Sequence, residues 1–274
     1  GKIPNAVANE HVNHGVSVRG VWSELFSDGV LALYRAGLIR GTRGAALRER
    51  IVVGFVLGSQ ALYQTMHENP EFAVLPQEIV NDPALIKHNR SMASINSALA
   101  VSLSGEVCAA TIAKRYYSDV GGQFDFARGA SCAQDGMAII AMPSVLLRGD
   151  GALQSKIVVA HPEGAHHTIG ADLPVVVVTE QGIADLRHLH DPERVHAMLG
   201  VAHPNWRTLL AKEARALPSM QGVGAIPAQL IELQDGRHAL LRPATRDDIA
   251  AIGAYIALLS NDDRRTRYMG TISV

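Results

Sequence analysis

The chain has 274 residues, of which 47% are apolar and 19% are charged, and it is long enough for one large or two modest domains. A formal net charge of −1 provides no basic field for nucleic acid or an anionic membrane, and every apolar run is far shorter than the roughly 20 residues of a membrane helix. The two cysteines, Cys108 and Cys132, cannot build a disulfide framework. We therefore expect a cytoplasmic protein that binds neither nucleic acid nor a membrane.

Apolar segments alternate with helical patterns along most of the chain. The predicted strands are residues 16–22, 51–57, 93–103, 137–142, 156–160 and 174–179. The predicted helices are residues 28–36, 59–69 with Ser59 as the capping residue, and 191–217. This alternation predicts the α/β class, with an open, mostly parallel sheet flanked by helices.

The composition changes after residue 217. The stretch PSMQGVGAIP at 218–227 is typical of a linker, and a strand-like segment follows it, before a helix that opens at Asp247 or Asp248. We predict three parts: a first domain at 1–217, a linker at 218–238, and the truncated beginning of an α+β domain at 239–274.

Glu24 is the first residue that the sequence suggests for chemistry. It follows the apolar pair Val21 and Trp22 and precedes a helix that Ser27 or Asp28 begins. A carboxylate at the end of a buried strand lies where open α/β sheets place their sites. An acid near a helix start also complements the helix dipole, and the residue pattern alone favours that plainer role.

Two further stretches have the character of a site. Adjacent glycines at Gly121 and Gly122 allow backbone N–H groups to approach an oxyanion closely, although tight turns use the same pair. Asp125 and Arg128, three residues apart, are placed to pair with each other on a helix. Glu180 ends a strongly apolar strand, either as a polar terminus or as a second acid in a cleft shared with Glu24.

The chain lacks the usual signatures of metal and nucleotide sites. No HExxH, paired CxxC, GxxxxGK[ST] or GxGxxG pattern is present. His161, His166 and His167 lie in a Pro/Gly-rich loop and are interpreted as solvent-facing. We expect no metal and no permanently bound cofactor.

Six motifs occur in a fixed order along the chain. They are SELFSDGV from Ser23, DPxxIxxN from Asp82, SINSALAVSLSGEV from Ser94, VGGQFDFARGA from Val120, VVVVTEQGIADL from Val175 and AHPNWR from Ala202. In this combination the sequence resembles the C-terminal domain of the acetyl-CoA hydrolase/transferase family, which includes 4-hydroxybutyrate CoA-transferase-like enzymes. The resemblance covers nearly all of residues 1–217.

The resemblance implies class I CoA-transferase chemistry, in which a glutamate forms a glutamyl-CoA thioester that a carboxylate or water resolves. By motif position Glu24 matches this nucleophile, and Gly121 or Gly122 matches the glycine whose N–H stabilises the oxyanion. The remaining family contacts to CoA and the active site fall at Asn96, Lys156 and Glu180. The implied substrates are an acyl-CoA and a small carboxylate, and the full-length protein is expected to be a homodimer.

Several features depart from this family pattern or extend it. Asp119 and Gln181 stand where the family often has glycine and tyrosine, which affects the expected acyl specificity. Residues 1–4 resemble the end of an earlier glycine loop, so we expect a preceding domain that the chain lacks. Residues 239–274 resemble the first strand and helix of a GNAT acetyltransferase. The alternative function is therefore a catalytically silent acyl-CoA-binding module that regulates an attached acetyltransferase.

Overall fold

The computed structural model describes residues 2–39, 50–112, 115–119, 121–217, 220, 229–233, 235–241, 248–260 and 263. The chain divides into two compact units, residues 1–220 and residues 221–274. Among the described residues the helices are α1 (Lys2–Asn13), α2 (Asp28–Arg35), α3 (Gln60–Met66), α4 (Gln77–Val80), α5 (Pro83–Ile86), α6 (Gln123–Cys132), α7 (Asp191–Val201), α8 (Pro204–Ala214) and α9 (Ile249–Leu258).

The strands of the first unit are short. They are β1 (Trp22–Phe26), β2 (Ile51–Val56), β3 (Phe72–Val74), β4 (Ala93–Asn96), β5 (Ala100–Ser102), β6 (Val107–Cys108), β7 (Thr111–Ile112), β8 (Arg115–Tyr116), β9 (Met137–Ala141), β10 (Val145–Leu147), β11 (Leu153–Ser155), β12 (Ile157–Val158), β13 (Val176–Thr179) and β14 (Gly182–Asp185). In the second unit, β15 (Gln229–Glu232) pairs antiparallel with β16 (His238–Leu241).

The first sheet contains three parallel strands in the order β1, β2, β3. Both of its faces are covered, because residues of α1, α2 and α3 form one apolar core and residues of α4, α5 and α6 form another. Val52 and Val53 are completely buried on opposite faces of β2. This two-sided burial explains the continuous apolar run in that strand.

A second sheet has the order β14, β13, β9, β4, with three parallel strands and β14 antiparallel at its edge. A third places β5 between parallel β12 and antiparallel β6. Residues from both sheets share the largest core with α7 and α8. Two hairpins, β7–β8 and β10–β11, complete the unit.

Helix α6 links the first sheet to this largest core. Its Phe126 lies in the core that contains Trp22, and the next residue, Ala127, lies in the core that contains Ile140 of β9. The glycine pair at 121–122 immediately precedes the helix. Packing on both sides therefore fixes the position at which α6 begins.

The predicted α/β class is confirmed, and most of the strand pairs are parallel in the sheets that carry the cores. The strands are divided among separate sheets. Residues 93–103 illustrate this division. They form two strands, β4 and β5, which pair with different neighbours, rather than one long strand.

The first strand begins later than the sequence predicts. Val16 is 48% exposed, and Val18 makes only an isolated bridge to Ile39, whereas the strand runs over Trp22–Phe26. Glu24 therefore lies inside a strand rather than after it. Among the described strands β1 pairs with β2 alone, which places Glu24 on an edge strand of this sheet.

The observed helix starts agree with the predicted ones more closely than the start of β1 does. Helix α2 begins at Asp28 with Ser27 as its N-cap, as predicted. Ser59 precedes α3, but its hydroxyl donates to the Asp28 carboxylate at 2.7 Å instead of capping its own helix. The predicted helix at 191–217 is two helices, because Pro204 has no N–H with which to continue the first.

The predicted linker and the GNAT-like segment fall largely outside the described residues. Of the segment from 218 to 274, the structure describes the β15–β16 hairpin, α9 and a few adjacent positions. The domain boundaries and the acetyltransferase resemblance stay predictions. Within the described ranges, no helix combines the length and apolarity that a membrane crossing requires.

Candidate active site

Glu24 is the third of five residues in β1, and α4 lies beside it. The indole N–H of Trp22 donates to the carbonyl of Val80, the last residue of α4, at 2.7 Å. The side-chain amide of the next residue, Asn81, then donates to Glu24 Oε2 at 3.0 Å. Through the Trp22 hydrogen bond, the strand that carries the carboxylate also positions the amide that holds it.

The two glycines face this carboxylate. Gly122 is the N-cap of α6, and a Cβ added there would overlap Glu24 Oε2 and come within 2.5 Å of Asn81 Nδ2. Gly121 has a φ of +55°, in the left-handed region that favours glycine, and a Cβ on it would lie 3.9 Å from Glu24 Oε1. The glycine pair thus leaves the space that the Glu24 carboxylate occupies. Val120 of the same motif lies outside the described residues.

The start of α6 also affects the charge of the site. The unpaired N–H groups and the dipole of a helix start attract an anion, and the Glu24 carboxylate lies at that end of a ten-residue helix. Burial, and next the charge of Glu24, raise the pKa of Asp125 in the first turn, while Arg128 acts in the opposite direction. The predicted pairing of Asp125 with Arg128 is therefore electrostatic, and no ion pair within 4 Å joins these two described residues.

Two buried polar atoms next to the glycine pair lack partners. Among the described residues, neither Asn81 Oδ1 nor Gln123 Nε2 makes a hydrogen bond, and both atoms are shielded from solvent. A buried polar group without a partner costs about 1–3 kcal/mol, so such groups are uncommon in folded proteins. Asn81 lies against Gly122 and Gln123 follows it in the chain, and two such atoms in residues that adjoin one glycine are typical of a site that a ligand completes.

Glu180 lies in a second cluster, which we call the Ser144 cluster and define as Ser144, Lys156, Glu180 and Gln181. The amide of Ser144 donates to Glu180 Oε2 at 2.8 Å, its hydroxyl donates to Oε1, and the Gln181 side chain donates to Oε1 at 3.3 Å. Burial opposes ionisation of Glu180, but the Ser144 hydrogen bonds outweigh it and lower the pKa of the carboxyl to about 2. Glu180 is therefore a fixed anion.

Lys156 lies beside this anion. Its Nζ donates to the carbonyl of Ala98 at 2.6 Å, and its backbone amide donates to the carbonyl of Ser144 at 2.9 Å. Burial lowers the pKa of Lys156, and the charge of Glu180 partly restores it. The structure thus brings together Lys156 and Glu180, two of the predicted CoA contacts.

Asn96 ends β4, in register with Ile140 of β9, and is half-buried. No hydrogen bond or ion pair between described residues joins Glu24 to Asn96, Lys156 or Glu180. Glu24 lies in β1, whereas Glu180 lies in the turn between β13 and β14 of another sheet, and the cleft predicted to contain both acids stays a prediction. The contacts that are present form two separate groups: Glu24 with the glycines, and Lys156 with Glu180.

Two residues of these groups were not predicted from the sequence. Asn81 directly precedes the DPxxIxxN motif, so its position next to a motif was an available signal. Ser144 is completely buried yet polar, and only the three-dimensional structure reveals its contact with Glu180, 36 positions later. Neither contact follows from local sequence periodicity.

The loop histidines differ from their predicted environment. His161 is half-buried, and its Nε2 lies 2.9 Å from the carbonyl of Glu106, so the solvent-facing interpretation was wrong for this residue. Burial lowers the pKa of His161. Within the part of the chain that the structure describes, no three His, Cys, Asp or Glu side chains are grouped to hold a metal ion.

Known proteins that are similar to this chain identify the family to which it belongs. Residues 58–214 match the acetyl-CoA hydrolase/transferase C-terminal domain. The 4-hydroxybutyrate coenzyme A transferase of Clostridium kluyveri is 38% identical over 194 residues, which are 71% of this chain and 44% of that protein. The chain spans less than half the length of this relative.

Solved structures agree with the sequence comparison. RipA from Yersinia pestis has a TM-score of 0.71 at 31% identity, over 78% of this chain and 47% of that one. The 4-hydroxybutyrate CoA-transferase of Porphyromonas gingivalis has a TM-score of 0.64 at 33% identity, over 78% of this chain and 49% of that one. Since the matched domain covers more than half of the residues, the chain belongs to the acetyl-CoA hydrolase/transferase family.

Proposed function

We propose that this chain carries the nucleophile of a CoA-transferase, and that Glu24 is that nucleophile. The observation that supports the proposal most directly is the Glu24 carboxylate, held by Asn81 and set against the glycine pair at the start of α6. The substrates are a short-chain acyl-CoA and a small carboxylate, the chemical class indicated by the name of the Clostridium kluyveri relative.

The reaction divides CoA exchange into nucleophilic steps. A Glu24 oxygen attacks the thioester carbonyl, the carbon–sulfur bond breaks, and CoA leaves as a thiolate while an acyl-glutamyl anhydride remains. The thiolate then attacks the glutamyl carbonyl, which releases the acyl group as a carboxylate and leaves a glutamyl-CoA thioester. An acceptor carboxylate reverses these two steps to give the new acyl-CoA, whereas water would give hydrolysis.

The residues around Glu24 provide what each step requires. Negative charge develops on a carbonyl oxygen at every attack, and the backbone N–H groups at 121–123 lie at the start of α6. Asn81 donates to one carboxylate oxygen, which orients Glu24 and leaves Oε1 for the attack. Asn81 is therefore a positioning residue in this mechanism.

The Ser144 cluster supports a separate role in binding. Its carboxylate is committed to donors from Ser144 and Gln181, which makes Glu180 a poor nucleophile. We assign Glu180, Lys156 and, by its motif position, Asn96 to contacts with CoA or the substrate. These three assignments are proposals.

Trapping of the enzyme thioester tests the proposal. The protein is incubated with acyl-CoA and then treated with borohydride. The borohydride should reduce the glutamyl thioester at Glu24 to an alcohol, and peptide mass spectrometry detects this modified residue. Glu24→Ala should lose both the modified peptide and CoA exchange, whereas Glu78→Ala, which removes an exposed acid of α4, should keep both. Wild-type turnover by Glu24→Ala would refute the assignment.

The regulatory alternative makes a different prediction in the same experiment. A silent acyl-CoA-binding module would bind acyl-CoA without forming a trapped thioester at Glu24. The assembled carboxylate, amide and glycine pair favour the catalytic function, because binding alone does not require a carboxylate held in this way.

A further inference from the structure

Gly129 is a buried glycine in the interior of α6, about two helical turns beyond the glycine pair. Glycine destabilises a helix interior relative to alanine, so its use at this position requires an explanation. A Cβ added to Gly129 would lie 2.5 Å from Cβ of Ile86, 2.6 Å from Cγ2 of the same residue and 3.3 Å from Cα of Pro83. The absence of a side chain therefore allows α5 to lie directly against α6.

This contact involves both ends of α5, because Pro83 is the first residue of that helix and Ile86 is the last. Ile86 is completely buried in the core that also contains Trp22, Val80 and Phe126. The atoms that a new side chain would meet thus belong to a buried residue and to the backbone, not to the end of a flexible side chain. A side chain at position 129 would therefore displace α5 as a whole.

The opposite side of α6 is held by other packing. Ala127 is completely buried in the largest core, which also contains Ile140 of β9. Ala130, three residues further along the helix, is completely buried as well. Since α6 contacts both β4 and β9 of the second sheet, it has no space into which to withdraw, and α5 is the element that would move.

Asn81 is connected to the start of α5. It directly precedes Asp82, whose carboxylate caps α5 by accepting from the amide of Ala84 at 2.8 Å. On its other side, the carbonyl of Val80 accepts the indole N–H of Trp22 at 2.7 Å. Asn81 therefore has one neighbour bound to β1 and the other bound to α5, and a shift of α5 relative to β1 changes the position of its side-chain amide.

We propose that Gly129 is a positioning residue, which sets the distance between α5 and α6 so that Asn81 reaches Glu24. Relief of the contacts to Ile86 requires a shift of roughly 1 Å, because nonbonded carbon atoms lie about 3.5 Å or more apart. The Asn81 Nδ2–Glu24 Oε2 distance is 3.0 Å, so a shift of that size would break this hydrogen bond. The effect on turnover rests on the proposed function of Glu24, whereas the effect on this distance does not.

The kinetics and the crystal structure of Gly129→Ala, made in the 274-residue chain, test the inference. Turnover in CoA exchange should fall about tenfold with little change in KM, as expected when one hydrogen bond to a charged group is lost. In the crystal structure, the Asn81 Nδ2–Glu24 Oε2 distance should exceed about 3.5 Å. Gly200→Ala in α7 is the matched control, because nothing lies within 4 Å of its Cβ position, and it should change neither quantity.

A double-mutant cycle separates positioning from a general loss of packing. If Gly129 acts through Asn81, Gly129→Ala should lower turnover by less than about twofold in an Asn81→Ala background, because the hydrogen bond is already absent there. Two independent defects would instead multiply, and that result would overturn the inference.

Other outcomes also decide the inference. Normal turnover by Gly129→Ala, or an unchanged distance between Asn81 and Glu24 in its crystal structure, would refute it and leave the role of Glu24 intact. Urea unfolding accompanies the assays, and a variant that did not fold would contradict the inference, because the glycine would then serve the fold rather than the site. If the wild type formed no trapped thioester, the proposed function would fail, and the crystal distance would still decide whether Gly129 positions Asn81.

Discussion

The two candidate carboxylates, Glu24 and Glu180, are held in opposite ways. Glu24 accepts one hydrogen bond from a described side chain, that of Asn81, and its other oxygen faces a glycine. Glu180 accepts from the amide and hydroxyl of Ser144 and from Gln181. A nucleophile requires available lone pairs, whereas a fixed anion requires occupied ones. This difference supports our proposal that Glu24 reacts and that Glu180 contributes to binding.

The backbone around each acid differs correspondingly. Glycines without side chains surround Glu24. Gly121 and Gly122 face its carboxylate, and Gly54 lies beside it on β2, where a Cβ would meet the Glu24 carbonyl at 3.0 Å. Beside Glu180 lies a buried serine, Ser144, which donates hydrogen bonds to the carboxylate. The Glu24 site is therefore sensitive to added atoms, and the Ser144 cluster is sensitive to removed hydrogen bonds.

Gly122→Ala should have the largest effect that this comparison predicts. The new Cβ would displace both the Glu24 carboxylate and the Asn81 amide, and a misplacement of about 1 Å can cost roughly 100-fold in rate. CoA exchange, measured with acyl-CoA and a carboxylate acceptor, should fall by at least about that factor. Gly200→Ala in α7 is the control, since nothing lies within 4 Å of its Cβ position. Normal exchange by Gly122→Ala would show that the glycine does not shape the site.

Asn81→Ala should have the next largest effect. Loss of a hydrogen bond to a charged group is worth about 1.5–3 kcal/mol, so the turnover number should fall by roughly tenfold or more, with little change in KM. Asn81→Asp should lower it further, because a second carboxylate would repel Glu24. Asn89→Ala, which removes an amide bound to the Ile86 carbonyl, should leave turnover normal. A change in KM alone would argue against positioning.

Sequence patterns predicted more of the Glu24 group than of the other. The glycine pair and Glu24 each belong to motifs that carry the family resemblance, and the resemblance, not the residue pattern alone, indicates their proposed roles. Asn81 and Ser144 were missed because their contacts cross 57 and 36 residues and depend on how strands are distributed among sheets. The start of β1 was misplaced for a related reason, since pairing with β2 overrides the local preference of Ser23 and Glu24.

Glu180→Gln tests the fixed anion through stability. The folded-state pKa of about 2 lies below the ordinary 4.5, so the charged carboxylate stabilises the fold above about pH 4.5, and this contribution is lost as the pH falls towards 2. Because Glu180 is exposed, solvent screening reduces the contribution to about 1 kcal/mol. The free energy of unfolding in urea should therefore be lower for Glu180→Gln at neutral pH, and the difference should shrink near pH 3. A difference that grew on acidification would contradict the assignment.

Lys156→Met should change stability least, because two effects oppose each other at Lys156. Burial disfavours the charged ammonium and so lowers the pKa of Lys156. The ammonium also donates a hydrogen bond to the Ala98 carbonyl, and a methionine at this position would leave that carbonyl without its donor. At neutral pH the free energy of unfolding should shift by no more than about 0.5 kcal/mol. Since the folded-state pKa is lowered, the wild type should gain stability relative to the variant as the pH rises towards 10.5.

The same variant has a kinetic consequence if Lys156 contacts CoA. KM for acyl-CoA should then rise several-fold while borohydride trapping at Glu24 persists, which would separate the function of the Ser144 cluster from that of the nucleophile.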